Sequence, residues 1–116
     1  MSVMKKIREE YVIWHANRIK FPVFGSGTII RKKVIFSGKV QKVGFRLEIH
    51  CIAQRMKVTG WVKNVEDGSV EAEIQGEESK INFLVHCMQS LKRASVKKVT
   101  MIDAPIKDDE NFTIVR

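Results

Sequence analysis

The apolar residues of this chain change period several times, and the order of those changes limits the architectures open to it. Residues 29–38 (IIRKKVIFSG) are apolar on both faces, as in a strand with neighbours on either side. Phe45, Ile49, Ile52, Ala53 and Met56 then recur at helical spacing, which predicts a helix ending before Gly60. GWVKNV at 60–65 reads as a strand and Asp67–Gly68 as a hairpin turn. Val70, Ala72 and Ile74 alternate with Glu71, Glu73 and Gln75 in the returning strand. Ile81, Leu84, Val85, Met88 and Leu91 mark a second helix, and VKKVTMI at 96–102 and NFTIVR at 111–116 two more strands. A βαββαβ order with an added terminal strand is an α+β pattern: two helices on one face of a mainly antiparallel sheet.

Ahead of this pattern, Met4, Ile7, Tyr11, Trp14 and Arg18 recur at steps of three and four, predicting an amphipathic helix over roughly 3–19. Phe21–Pro22 ends it, because proline disfavours helical geometry in the residue before it. FGSGT at 24–28 reads as a turn or linker. The chain therefore divides into an extension, residues 1–30, and a domain, residues 31–116. The Met4/Ile7/Tyr11/Trp14 stripe is expected to be a packing face, against the domain or in a homodimer. Its mixed-charge polar side, with Glu9 and Glu10 among lysines, is unlike that of a membrane-surface helix.

A chain of 116 residues fits one domain and can bury a core without disulfides or metals. No apolar run approaches a membrane span, and the basic N-terminus lacks the apolar centre of a secretory leader, so a cytoplasmic location is expected. Cys51 and Cys87 lie in no CxxC arrangement and are expected as reduced, inert thiols. The formal charge is +8, from 21 basic and 13 acidic side chains, which suits an anionic partner. The excess is spread, +3 in residues 1–30 and +5 beyond, without long blocks of like charge. Nucleic acid, an acidic membrane surface and a phosphorylated small molecule all fit such a charge, which alone does not choose among them; its spread weakens the nucleic-acid reading.

Two segments carry candidate chemistry. The first is GKVQKVGFR at 38–46, a loop between a strand and a helix. Backbone amides of such a loop, with the positive end of the helix dipole, favour an anion. Arg46, in the first helical turn, can meet two phosphate oxygens and keeps its charge at any working pH. The second is Asn64, in GWVKNVEDGSV at 60–70, whose carboxamide can both accept and donate and so hold a water in one direction. Taken singly, each also fits an ordinary turn.

Taken together, GKVQKVGFR and GWVKNVEDGSVE resemble the acylphosphatase family, whose signatures are a GxVQGVxFR-type loop and a GWVxNxxDGxVE-type hairpin. The resemblance covers about residues 31–116, with both signatures in the family's order and spacing. It implies a ferredoxin-like sandwich and hydrolysis of small-molecule acyl phosphates. Arg46 would bind the phosphoryl group beside the backbone of Lys39, Val40, Gln41, Lys42, Val43, Gly44 and Phe45, and Asn64 would orient the attacking water. The leaving carboxylate is stable as an anion and a phosphate oxygen can take the water's proton. No general acid, base, metal or cofactor is therefore expected.

Two departures stand out: Lys42 where the family usually has glycine, and the extension itself. A left-handed backbone at position 42 would strain lysine by about 1 kcal/mol; the lysine would also add charge beside the phosphate. These departures motivate the rival reading, a catalytically slow anion-binding or interaction module. A further rival, an RNA-binding sandwich, lacks the aromatic-rich consensus strand of that class. The pairs His50–Cys51 and His86–Cys87 suggest zinc only weakly, since neighbouring helical residues point about 100° apart. Trp61 and Phe45 are expected in the core.

Overall fold

A computed structural model describes residues 3–116. Helix α1 spans Val3–Arg18, strand β1 Ile29–Lys39, helix α2 Phe45–Met56 and strand β2 Thr59–Asn64. Strand β3 follows at Val70–Glu77, helix α3 at Glu78–Gln89, strand β4 at Ser95–Ala104 and strand β5 at Phe112–Val115. The sheet runs β4-β1-β3-β2-β5, antiparallel except for the β2–β5 pair. This is the expected βαββαβ order with its extra strand, and β1 has a neighbour on each side.

Register decides which residues meet the helices. Val34 pairs with Ala72, Phe36 with Val70 and Val62 with Ala72; all are fully buried beneath α2 and α3. Ile49, Ile52 and Ala53 of α2 and Ile81, Leu84 and Met88 of α3 complete the core without measurable exposure. Phe45 sits edge-on to Phe36 at 5.1 Å, anchoring the start of α2 over the centre of the sheet.

The opposite sheet face is held by charge. Arg31, 2% exposed, donates to Glu73 at 2.6 Å and to Gln75 at 3.1 Å. It also lies 2.8 Å from Asp109, close enough for an ion pair but without hydrogen-bond alignment, and its Nη2 has no partner among the described residues. Gln75 exchanges hydrogen bonds with the backbone of Lys107, so the segment before β5 folds across this face. Trp61 lies here too, half-buried opposite Glu73, because Gly60 and Val62 take the inward positions of β2. Its expected place in the core is corrected accordingly.

Helix α1 packs on α2, but not through the expected stripe. Met4, Ile7, Tyr11 and Trp14 are 49–73% exposed, while Val12 and Ala16 are fully buried. The stripe lies roughly 80–160° round the helix from Val12, given about 100° per residue. Small side chains at 12 and 16 allow close approach to α2, and the polar partners of α1 lie on that side. Arg55 of α2 donates to the carbonyls of Ala16 at 2.6 Å and Ile19 at 2.9 Å, satisfying the C-terminal end of α1. Beyond it, Phe21 and Phe24 pack edge-on against Phe83 at 5.4 and 5.5 Å, fixing the linker to α3.

Candidate active site

The loop from β1 to α2 is shaped by three positive-φ residues. Gly38 has φ 121°, and a Cβ there would stand 2.2 Å from the Ser95 carbonyl oxygen, so no side chain fits where the β1–β4 register slips. Gly44, the residue capping α2, has φ 74° and offers no side-chain cap to the helix. Among the described residues no acceptor meets the first amides of α2, and the helix dipole there favours an anion. Lys42 has φ 64°, so the chain accepts at this position the strain of about 1 kcal/mol that glycine would avoid.

The loop's carbonyls are tied back. Arg93 donates through Nε to the Val43 carbonyl at 2.7 Å and through Nη2 to that of Gly44 at 3.4 Å. The same Nη2 meets Glu48 Oε1 at 2.6 Å, and His15 Nδ1 lies 2.8 Å from Glu48 Oε2. Glu48 is fully buried in the first turn of α2, where the helix dipole also favours a carboxylate. Arg8 donates to the Lys42 carbonyl at 3.1 Å. A carbonyl held back leaves the neighbouring amide facing the other way, which is what an anion cradle needs.

Gln41 joins this loop to the hairpin. Its Nε2 donates to the carbonyls of Val65 at 2.8 Å and Ser69 at 2.9 Å. The turn is closed by Val65 N–H to the Ser69 carbonyl at 2.9 Å and by Asp67, which accepts from the Ser69 hydroxyl and amide at 2.6 and 2.9 Å. Those two bonds, the hydroxyl first, hold the Asp67 carboxyl below its usual pKa. Asn64, the last residue of β2, is thereby carried to the mouth of the loop.

Arg46 and Asn64 line one pocket of about 130 Å³, with Val40, Lys42, Gly44 and Phe45 from the loop. Lys39, Gln41 and Val43 stand outside its lining: Lys39 pairs with Ser95 in the sheet, while Gln41 and Val43 serve the bonds just described. Among the described residues, neither the Arg46 guanidinium nor the Asn64 carboxamide is engaged in a hydrogen bond or ion pair. The remaining walls come from Leu47 of α2, from α1 (Lys5, Arg8, Glu9 and Val12) and from the chain's end (Ile114 and Arg116). Among the described residues that line it, five cationic side chains stand against one acidic side chain, Glu9, a balance that favours an anion.

The motifs gave no sign of Arg8, His15, Glu48 or Arg93. Arg93 and Arg8 lie 50 and 34 positions from their carbonyl acceptors, beyond the reach of any local pattern. Among the described residues, no three His, Cys, Asp or Glu side chains gather as a metal site would require. Cys51 and Cys87 are free and half-buried, and burial, then the Glu48 charge, raises both thiol pKa values.

Comparison with known proteins places this geometry in context. The acylphosphatase family model matches residues 32–114. An acylphosphatase of Bifidobacterium longum is 41% identical over 85 residues, covering 72% of this chain and 88% of that protein. The solved acylphosphatase of Coxiella burnetii superposes with a TM-score of 0.71 at 32% identity, covering 75% of this chain and 93% of the other. That of Bacillus subtilis gives 0.71 at 28% identity, covering 77% and 100%.

Proposed function

This chain belongs to the acylphosphatase family, and from that membership we propose that Arg46 and Asn64 carry out acyl phosphate hydrolysis in the pocket they share. The activity is hydrolysis of a carboxyl–phosphate anhydride to carboxylate and inorganic phosphate. In the proposed step, water attacks phosphorus, the bond from phosphorus to the acyl oxygen breaks, and the carboxylate leaves with that bond's electron pair. The water's proton passes to a phosphate oxygen. Arg46 and the amides around Gly44 stabilise the charge spread over the phosphoryl oxygens, and Asn64 directs the water. Since the leaving group needs no protonation and the substrate accepts the proton, this inventory is chemically sufficient without a metal.

The single observation carrying the reading is that both side chains line one cationic pocket with their polar groups unspent. The test is hydrolysis of benzoyl phosphate with and without a chelator. Turnover should survive the chelator, and Arg46→Ala should lose at least about a hundredfold, the scale of removing one charge-stabilising donor. An Arg46→Ala enzyme close to wild type would sink the assignment. Among the described residues the RNA-binding alternative finds one strand aromatic, Trp61, on the helix-free sheet face, beside ion pairs such as Lys33–Glu71 at 2.9 Å.

We assign catalysis to residues 31–116, with 1–30 as an extension. No described helix is long and apolar enough to cross a membrane; a cytoplasmic location is inferred from this together with the two free thiols, and cell fractionation tests it. A homodimer through the exposed Met4/Ile7/Tyr11/Trp14 face is proposed on the same footing. Sedimentation as a monomer at assay concentration would end that idea.

A further inference from the structure

Helix α1 lies wholly before residue 32, where the family match begins, yet it forms one wall of the pocket, touches the phosphate loop at two places and reaches it indirectly at a third. Arg8 donates to the carbonyl of Lys42, the loop residue whose left-handed backbone lacks glycine's freedom. Fully buried Val12 lies so close to the loop that a Cβ on Gly44 would stand 2.6 Å from its Cγ2. His15 reaches Glu48, which orients Arg93, the donor to the Val43 carbonyl. The two departures from the family pattern, the extension and Lys42, therefore meet at one hydrogen bond.

We propose that α1 is an intramolecular brace for the phosphate loop, and that Arg8 is a positioning residue holding Lys42 in the left-handed conformation that binding requires. This deepens the acyl phosphatase reading and rests on it. The brace compensates for the missing glycine: the carbonyl of residue 42 is fixed from outside, so the loop is ordered before the phosphoryl group arrives. Arg8 itself is exposed at the helix surface, so its removal leaves the buried α1–α2 contact of Val12 and Ala16 in place.

The experiment is a double-mutant cycle on the full chain, reading the affinity for inorganic phosphate by calorimetry and by inhibition of benzoyl phosphate hydrolysis. Wild type, Arg8→Ala, Lys42→Gly and the double variant are compared, with thermal melts to verify folding. Arg8→Ala should weaken phosphate about fivefold, the scale of one charge-assisted bond at an exposed site. In the Lys42→Gly background the same change should cost less than about twofold, because glycine takes this conformation unaided. Equal losses in both backgrounds would mean that Arg8 attracts phosphate merely as a cation, and would overturn the brace; so would no loss in either. A wild type that hydrolyses nothing and binds no phosphate overturns the functional reading as well, whereas an active wild type with an additive cycle overturns the brace alone.

Discussion

Asn64 ends β2 at an exposed position, and its carboxamide takes no partner among the described residues. A residue that only directs a water should matter to turnover and not to the bound anion. Asn64→Ala is therefore expected to lower kcat about a hundredfold, the cost of misplacing a reacting group, while the inhibition constant of inorganic phosphate stays within twofold. A parallel loss of phosphate affinity would reassign Asn64 to anion binding. The sequence singles out both motif residues through short local segments, and the structure brings them to one pocket; their roles in the reaction are the proposal that these variants test. Lys42 was readable as an oddity, but its φ of 64° was not, since backbone sign depends on what holds the carbonyl. Arg8 and Arg93, which do so for Lys42 and Val43, belong to no motif.

The elements were legible wherever one apolar face had a single destination. Ile81, Leu84, Val85 and Met88 of α3 are buried, as their spacing required, and Leu91, expected in the same helix, is buried just beyond its end. Leu84→Ala is expected to destabilise the fold by about 2–5 kcal/mol, the range for emptying a closed site in a packed core, as denaturant unfolding would measure. A loss below about 1 kcal/mol would show that α3 is not part of the core. The orientation of α1 was not legible, because a count of large apolar residues favours Met4, Ile7, Tyr11 and Trp14 over Val12 and Ala16. Close approach and the pairing of His15 with Glu48 settle the matter instead, and both depend on α2. Trp61 was misplaced for a related reason: alternation along β2 sets a common face but not which face the helices cover.

Across the whole molecule, the helix-free face joins β1, β3 and the segment before β5 through Arg31, Glu73 and Asp109. Burial pushes the Glu73 pKa up, but the Arg31 hydrogen bond and charge, with help from Lys107, outweigh it and leave the carboxyl below its ordinary value of 4.5. A depressed carboxyl contributes stability that is complete above its unfolded pKa and fades as pH falls through the folded one. Glu73→Gln should therefore lower stability by on the order of 2 kcal/mol at pH 7 and by clearly less near pH 3, read from urea unfolding at both. An equal loss at the two pH values would rule out the charge as the cause. The tie between Arg93 and Val43 has a different consequence, one of timing. Both signature segments leave the ribosome well before position 93, and the donor that fixes the loop comes 50 residues after its acceptor. A nascent chain halted between the two would display the full motif and still lack a finished cradle.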